Sequence, residues 1–373
     1  MRILAACSLG GSGHLNPLVP VLAAARRLGH DTLVVGPNAL TDLVDRAGFP
    51  FRAGGEPPEA EIAPIREQLP VAPAAEASIL GNRELFGRLA ARALLPAMEA
   101  ACAEWRPDLV LRDPCEYASA VVAHDRSLPV AQVAISLAEA EAGSIVAAAP
   151  ALEEHRAGLT AAVRATPYLT RFPASLDPSR FAATRRFREP AAGIVPLPDW
   201  WPGQGGPLVY VSFGGVLAHM TRAPAAFRTA LAAVAELEAR VLLTVGRAFD
   251  PVRLDPVPAH VHVERWVDQA DVLDRADLVV CHGGSGTTYG ALAAGVPVVT
   301  VPMFADQFEN ARRVTAAGAG LTAADGDAAA IAAAVGRVLA DAAYARAAGR
   351  IAVEMASVPL IDDVLATLLP NHS

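Results

Sequence analysis

The segment at residues 282–288, HGGSGTT, combines glycines with small polar side chains directly after an apolar run. Glycines let backbone amides approach a ligand, and a helix that begins here would present unpaired N–H groups with a partial positive charge. Such a helix end binds phosphate. The glycines are Gly283, Gly284 and Gly286, and the side-chain donors are His282, Ser285 and Thr287. The segment predicts a phosphate site; the alternative is a tight strand-to-helix turn without a ligand.

A second pair of residues could remove a proton from a hydroxyl group. His14 follows the apolar run at residues 3–7, and Asp113 follows the run at residues 109–111. The carboxyl ends of parallel strands form one edge of a sheet, where ligands bind. An imidazole titrates near neutral pH, and a carboxylate on its far nitrogen fixes the tautomer and stabilises the imidazolium. We predict that His14, in the loop after the first strand, is a general base oriented by Asp113, a role worth about 10²- to 10⁴-fold in rate.

The sequence lacks the residues that several other reaction classes need. It contains no lysine, which excludes Schiff-base catalysis and the phosphate loop of nucleoside triphosphatases. Residues 283–287 read GGSGT and do not match the GxSxG motif of serine hydrolases. Gly11 and Gly13 are followed by Asn16 where a dinucleotide-binding fingerprint has its third glycine.

A DxD pattern at Asp325 and Asp327 could in principle hold a divalent metal. It directly precedes an alanine-rich helical stretch, where an aspartate N-cap is expected. We therefore predict a helix cap at this position. Neither a metal nor a resident cofactor is expected.

The elements that must position these residues follow from the alternation of short apolar runs with helical patterns, which predicts βαβ units and parallel sheets. Strands are predicted at residues 3–7, 32–35, 109–111, 130–135, 208–213, 241–245, 260–263, 278–281 and 298–301. The clearest helix spans residues 17–28. Asn16 is its predicted N-cap, Pro17 its first residue, and Gly29 follows its end.

The strands form two series, which predicts two domains. Residues 194–207 separate the series and are rich in proline, tryptophan and glycine, as expected of an ordered linker. We predict a first domain at residues 1–193, a second domain at residues 208–355, and a C-terminal helix and tail at residues 356–373 that packs back on the first domain. Residues 56–81 and 138–180 show few strand signals and are either walls of a ligand site or surface elaboration.

The composition limits the class of partner. Of the 373 residues 53% are apolar and 19% charged, so the chain can bury a core and is not expected to be disordered. The net charge of −8 argues against binding to nucleic acid or to an anionic membrane. No membrane span or export signal is predicted. The four cysteines lack a CxxC spacing, which fits a reducing cytoplasm.

The segment from Trp266 through His282 to Gln307 resembles the donor-binding signature of GT-B-fold, nucleotide-sugar-dependent glycosyltransferases. The likeness is greatest to actinobacterial enzymes that glycosylate polyketides and related natural products. It extends over nearly the whole chain, because GSGHLNPLVPVLAAARRLGH at residues 11–30 resembles the family's opening segment. LPDWW and VYVSFGG, at residues 197–201 and 209–215, resemble its linker and the start of its second domain.

The resemblance implies an α/β protein of the GT-B class, with two Rossmann-like domains facing each other across a cleft. The donor would bind mainly to the second domain and the acceptor to the first, and transfer would invert the anomeric carbon without a metal. His14 and Asp113 match the family's base and its partner. A homodimer is a further expectation from this likeness.

The resemblance also assigns donor-binding roles. Trp266 would stack on the nucleotide base, unless it is an ordinary core tryptophan, and Gln269 belongs to the same site. Asp306 and Gln307 would bind sugar hydroxyls, unless they only cap a helix. The residues facing the diphosphate would be Ser212, Gly214, His282, Gly283, Gly284, Ser285, Gly286 and Thr287.

One position departs from the family pattern. Many members, especially those from plants, carry a glutamate eight residues after this histidine, and it binds the ribose hydroxyls; here that position is Gly290. A nucleotide without a 2′-hydroxyl needs that carboxylate less, so we expect a dTDP-(deoxy)sugar donor rather than a UDP-sugar. The predicted function is sugar transfer to a hydrophobic natural-product aglycone. The alternatives are a nucleotide-sugar epimerase or hydrolase, or a donor-binding pseudoenzyme.

Overall fold

A computed structural model of the protein describes residues 1–9, 11–69, 71–191, 193–218, 220, 222–303, 306–323 and 326–368, without the side chains of residues 74 and 216. The chain divides into two compact units. Unit 1 comprises Met1–Arg171, Asp177–Pro190 and the described residues from Val358 onward. Unit 2 comprises Phe172–Leu176 and Ala191–Ser357.

Unit 1 is built on a parallel sheet in which the described residues form seven strands. They are β1 (Arg2–Ala6), β2 (Asp31–Pro37), β3 (Phe51–Gly54), β4 (Leu109–Arg112), β5 (Val130–Val133), β6 (Tyr168–Thr170) and β7 (Thr184–Arg186). The strand order is β3-β2-β1-β4-β5-β6-β7, so the winding reverses between β1 and β4. Ligands of open α/β sheets bind outside the carboxyl ends of the strands at such a switch point.

Helices connect these strands and cover both faces of the sheet. They are α1 (Ser12–Leu15), α2 (Leu18–Arg27), α3 (Thr41–Ala47), α4 (Glu59–Gln68), α5 (Ala74–Ser78), a π-helix (Ile79–Ala90), α6 (Ala91–Trp105), α7 (Ala118–Arg126), α8 (Ala138–His155) and α9 (Leu159–Ala165). Strand β1 illustrates the packing, because its alternate residues point to opposite faces. Ile3 belongs to the core cluster with α2, whereas Leu4 belongs to the cluster with α6 and α7.

Unit 2 repeats this architecture. Its strands are β8 (Leu208–Ser212), β9 (Arg240–Thr244), β10 (Val261–Glu264), β11 (Leu278–Cys281), β12 (Val298–Thr300) and β13 (Gly320–Thr322). All pairings are parallel in the order β10-β9-β8-β11-β12-β13, so the switch point lies between β8 and β11. Its helices are α10 (Gly214–Leu217), α11 (Ala223–Val234), α12 (Gln269–Leu273), α13 (Ser285–Ala293), α14 (Gln307–Ala316), α15 (Ala328–Ala340) and α16 (Ala342–Ser357).

The last helix, α17 (Ile361–Leu368), belongs to unit 1. Its Ile361 and Leu365 lie in the same core cluster as residues of β1 and α2. Both Nε and Nη2 of Arg27 in α2 donate to the carboxylate of Asp362, at 2.9 and 2.7 Å. No individual helix among the described residues is long and apolar enough to cross a membrane; only α15 and α16 together reach that length, and they are bent by 77°.

Nine strands predicted from the sequence are observed with ends within two residues of those predicted. The strands β3, β6, β7 and β13 were not predicted because their sequences, FRAG, YLT, TRR and GLT, lack the valines found in the predicted strands of similar length. Strand β6 lies within residues 138–180, where few strand signals were found. Residues 194–207 contain neither helix nor strand.

The prediction for the first helical segment was wrong in detail. Residues 12–15 already form α1, so His14 lies in a short helix and not in a loop. Asn16 does not cap α2, because it has helical backbone angles and its N–H donates to the carbonyl of Ser12 at 2.9 Å. Helical structure begins earlier than expected, at Ser12, because Gly11 adopts a φ of 65°, a conformation that glycine tolerates. Gly29 follows the end of α2 as predicted.

Candidate active site

His14 and Asp113 meet at the switch point of unit 1. Asp113 directly follows β4, and α1 carries His14 shortly after β1. The Nδ1 atom of His14 lies 3.2 Å from Oδ1 of Asp113. The Asp113 side chain is wholly buried, whereas the His14 side chain retains 15% of its exposure. The predicted proximity of the imidazole and the carboxylate is confirmed.

Backbone groups fix the Asp113 carboxylate. The N–H of Ser8 donates to Oδ2 at 2.6 Å, and the N–H of Cys115 donates to Oδ1 at 2.7 Å. A carboxylate only accepts hydrogen bonds, so the His14 nitrogen that faces it carries the proton. In the neutral imidazole Nε2 is then unprotonated. This is the tautomer that a general base requires.

Phe86 covers the imidazole of His14. The two rings stack with centroids 5.5 Å apart and an interplanar angle of 29°. Phe86 lies in the π-helix, a rare form that occurs frequently at functional sites. The π-helix packs against α8, where His155 Nε2 hydrogen-bonds the carbonyl of Gly87 at 2.9 Å. This contact could not be predicted, because no local sequence pattern distinguishes a π-helix from an α-helix.

A buried carboxyl group fixes the start of α8. Glu141 accepts hydrogen bonds from the N–H groups of Ile135 and Ser136 at 2.8 and 2.7 Å. Burial raises the pKa of Glu141 to about 8. Asp177 also accepts from the N–H of Ala138, the first residue of α8, at 3.0 Å. These bonds hold the loop between β5 and α8 at the carboxyl edge of the sheet.

The predicted glycine-rich turn lies at the switch point of unit 2. Helix α13 begins at Ser285, and Gly284 is its N-cap. The first N–H groups of a helix have no partner within it, so the turn presents the donors expected of an anion site. Gly214 follows β8, the strand that pairs with β11. The turns after these two strands therefore adjoin each other.

The glycines of these turns also make room for His282. A Cβ atom at Gly284 would lie 2.3 Å from Nε2 of the His282 ring, and one at Gly214 would lie 3.0 Å from its Cε1. Nδ1 of His282 is shielded from solvent and has no hydrogen-bond partner among the described residues. Burial lowers the pKa of His282 to about 4, although Asp306 and the backbone of Ser212 oppose this shift. The imidazole is therefore neutral at neutral pH.

Asp306 is joined to the turn by hydrogen bonds. Ser285 Oγ donates to its Oδ2 at 2.8 Å, and Asn310 Nδ2 lies 3.2 Å from the same oxygen. The same amide donates to the carbonyl of Gly283 at 2.8 Å. Asp306 is the N-cap residue of α14, as the alternative expected, but its side chain makes no capping hydrogen bond to that helix. Asn310, wholly buried, was not predicted, although it lies only four residues beyond Asp306.

Gln307 lies beside the turn, and Gln269 lies beside the helix α13 that follows it. Gln307 is buried, its Oε1 accepts from the N–H of Met303 at 2.8 Å, and a Cβ at Gly283 would lie 2.9 Å from its carbonyl oxygen. The Gln269 amide lies over Gly290, where an added Cβ would be 3.4 Å from its Nε2. That nitrogen is buried without a hydrogen-bond partner among the described residues. A larger side chain at position 290 would press on this amide.

Trp266 is not a core residue. It is 53% exposed, which excludes the alternative of an ordinary core tryptophan. The guanidinium of Arg247 lies over its ring, 4.3 Å from the centroid. Arg247 was not predicted, because it lies in the segment after β9 whereas Trp266 lies in the segment after β10, and no sequence pattern shows that the two segments touch.

The cap predicted at Asp327 is confirmed. Its Oδ1 accepts from the N–H of Ala330 at 2.7 Å at the start of α15. Asp325 lies outside the described residues, as do residues 369–373 of the predicted tail. Asp327 therefore acts as a helix cap, and its contacts do not support a metal site at the DxD pattern.

Two family models match the chain. Residues 23–201 match the N-terminal domain described as erythromycin biosynthesis protein CIII-like, and residues 228–369 match the C-terminal domain of the same description. Elloramycin glycosyltransferase ElmGT of Streptomyces olivaceus is 34% identical over 380 residues, covering 99% of this chain and 97% of that protein. The chain belongs to the EryCIII-like glycosyltransferases. It is an enzyme of this class, as the resemblance implied.

Two further similar proteins agree with this assignment. L-demethylnoviosyl transferase of Streptomyces niveus is 33% identical over 334 residues, covering 86% of this chain and 85% of that protein. The solved structure of spinosyn rhamnosyltransferase SpnG has a TM-score of 0.83 at 25% identity, covering 99% of this chain and 100% of that one. SpnG has also been solved with spinosyn aglycone and with thymidine diphosphate. The predicted GT-B class, with two Rossmann-like units, is confirmed.

The lowered pKa of His282 gives a testable pH dependence. An unfolded chain, with an ordinary histidine pKa of about 6.5, binds this proton more readily than the folded protein between about pH 6.5 and 4. The contribution of the neutral His282 imidazole to the free energy of unfolding is therefore fully present above about pH 6.5, and it is lost as the pH falls toward 4. We expect the His282 ring resonances to titrate near pH 4 by NMR. A midpoint near 6.5 would contradict the buried environment.

Proposed function

We propose that this EryCIII-like glycosyltransferase moves a deoxysugar from dTDP to a hydroxyl group of an apolar natural-product aglycone, with inversion at the anomeric carbon. The observation that carries the proposal is the pairing of His14 Nδ1 with Asp113 Oδ1 at 3.2 Å. This pair leaves a basic nitrogen at a switch point, where ligands of such sheets bind. Unit 1 would supply the base, and unit 2 the donor site.

In the proposed reaction Nε2 of His14 accepts the proton of the acceptor hydroxyl as its oxygen attacks the anomeric carbon. The bond from that carbon to the diphosphate oxygen breaks in the same step. Asp113 stabilises the imidazolium that forms. The carboxylate does not need to reorient, because Ser8 and Cys115 already hold it. The proton later leaves the imidazole to solvent, which restores the base.

The leaving diphosphate would be stabilised by unit 2. The N–H groups at the start of α13 and the turn at Gly214 supply donors, with the side chains of Ser212 and Thr287 beside them. Preorganised donors of this kind stabilise charge that develops in a transition state. His282 would donate as a neutral imidazole. Its Nδ1 has no hydrogen-bond partner among the described residues, so a proton on this nitrogen would be available to a phosphate oxygen.

Recognition of the rest of the donor follows from three contacts. The exposed part of the Trp266 ring is available to stack on a nucleotide base, while Arg247 lies over the ring. Asp306, held by Ser285 and Asn310, and the amide of Gln307 would bind sugar hydroxyls. We further propose that no metal and no resident cofactor take part, since the start of α13 and His282 supply the electrostatic stabilisation themselves.

The preference for dTDP rests on Gly290. With no carboxylate at this position, the nearby group for the pentose is the Gln269 amide. The thymidine diphosphate complexes of SpnG and of the Streptomyces glycosyltransferase SsfS6 support the same nucleotide. An apolar acceptor is supported by exposed apolar side chains on the stretches predicted as site walls. They are Val71, Ile79 and Val146. A cytoplasmic location remains part of this proposal.

Replacement of His14 tests the base. His14→Ala should lower kcat by about 10²- to 10⁴-fold, because the proton has no acceptor in the transition state. Binding of dTDP by calorimetry should remain unchanged, since the donor residues lie in unit 2. The exposed His124 in α7 provides a control, and His124→Ala should retain full activity. Product masses from a panel of donors and aglycones measure transfer; unaltered turnover of His14→Ala, or release of free sugar alone, would overturn the assignment.

The choice of nucleotide is tested by calorimetry. Wild-type protein should bind dTDP more tightly than UDP, because no carboxylate is present to bind a ribose 2′-hydroxyl. Gly290→Glu should narrow or reverse that preference, whereas Gly336→Ala, a glycine replacement on the unrelated helix α15, should leave it unchanged. Clear preference of the wild-type protein for UDP would reject the dTDP proposal without affecting the role of His14.

A further inference from the structure

A third side chain with metal-binding chemistry lies beside the catalytic pair. One ring nitrogen of His14, one carboxylate oxygen of Asp113 and Sγ of Cys115 all lie within 4.8 Å of one another. Cys115 is half-buried and is a free thiol. The three atoms are nitrogen, oxygen and sulfur, the ligand set that zinc and cadmium accept. Neither the reaction mechanism nor the resemblance uses this thiol.

The spacing of the first two ligands suits a metal as well as it suits a hydrogen bond. Zinc binds imidazole nitrogen at about 2.0–2.1 Å and carboxylate oxygen at about 2.0–2.2 Å, so two tetrahedral ligands lie roughly 3.3 Å apart. The His14 Nδ1 to Asp113 Oδ1 distance is 3.2 Å, long for a charge-assisted hydrogen bond. The metal could replace the shared proton with little movement of either side chain.

The surroundings favour such a site in two further ways. Asp113 is fixed by two backbone N–H groups, so one ligand is already positioned. The backbone N–H of Cys115 makes one of these bonds, which ties the thiol's residue to the same carboxylate. The His14 and Cys115 side chains both retain partial exposure to solvent. Burial and the Asp113 carboxylate raise the pKa of the Cys115 thiol, so the thiol gives up its proton only when an ion binds.

We propose that His14, Asp113 and Cys115 form an inhibitory site for a thiophilic divalent cation such as Zn²⁺. The ion binds Nδ1 of His14, Oδ1 of Asp113 and the thiolate of Cys115, and the thiol proton leaves to solvent. The proton displaced from Nδ1 moves to Nε2. Nε2 then cannot accept the proton of an acceptor hydroxyl, so the bound ion stops transfer.

The inhibition rests on the proposed role of His14, but ion binding does not, so the two are measured separately. Binding is followed with Cd²⁺, whose bond to a thiolate gives a charge-transfer absorption in the ultraviolet. Wild-type protein and Cys102→Ala should show the band; Cys102 is a buried cysteine of α6. Cys115→Ser should lose it. His14→Ala should weaken Cd²⁺ binding by more than about 10-fold, since loss of even an outer-shell partner typically costs 10–100-fold.

The site would be overturned if the wild-type protein showed no band or if the band persisted in Cys115→Ser. Loss of the band in Cys7→Ala with retention in Cys115→Ser would overturn it as well, since the bound thiolate would then be Cys7. Cys7 is included because it is a buried thiol near Asp113. If Cys115→Ser does not fold by circular dichroism, the His14→Ala affinity decides the question alone. Zn²⁺ should lower kcat of the wild type without weakening dTDP binding. A confirmed band with undiminished turnover would instead contradict the role of His14.

Discussion

The Asp113 carboxylate accepts hydrogen bonds from two backbone N–H groups and faces the imidazole of His14. Both backbone donors come from segments that the sheet itself positions, since Ser8 follows β1 and Cys115 follows β4. The N–H of Asp113 in turn donates to the carbonyl of Ala6 at 3.0 Å, which continues the pairing of these two strands. The placement of the carboxylate beside the His14 imidazole therefore depends on the register of β1 against β4. A slip of one residue would turn the carboxylate to the other face of the sheet.

Unit 2 uses the same arrangement for a different task. Strands β8 and β11 pair with Ser212 opposite Cys281, so the turns that follow them lie side by side. Glycines and small hydroxyl residues occupy these turns, together with the imidazole of His282. Without side chains at Gly214 and Gly284, the His282 ring packs against the backbone and stays neutral. Asn310 then joins the turn to Asp306. The same Rossmann-like architecture thus places an imidazole–carboxylate pair in one unit and a glycine-rich turn at a helix start in the other.

The sequence predicts the residues that follow buried strands, because apolar runs locate the strand ends and the parallel arrangement places those ends at one edge. This reasoning places Asp113 and the turn at residues 282–288. It places His14 at the correct edge of the sheet. It does not predict that residues 12–15 form helix α1, which can begin there because Gly11 adopts a positive φ. Phe86, Arg247 and Asn310 could not be predicted, because their contacts depend on which connections pack together. Strands β3, β6, β7 and β13 escaped prediction because none of them contains valine, unlike the equally short β12, which reads VVT.

The tautomer of His14 tests the central claim most directly. Nitrogen-15 NMR of protein labelled at histidine, at a pH where the ring is neutral, distinguishes the protonated from the unprotonated ring nitrogen. The hydrogen bond to Asp113 predicts a proton on Nδ1 and a bare Nε2 in the wild type, with this preference lost in Asp113→Asn. A proton on Nε2 in the wild-type protein would contradict the account, because that nitrogen could not then accept a proton from an acceptor hydroxyl.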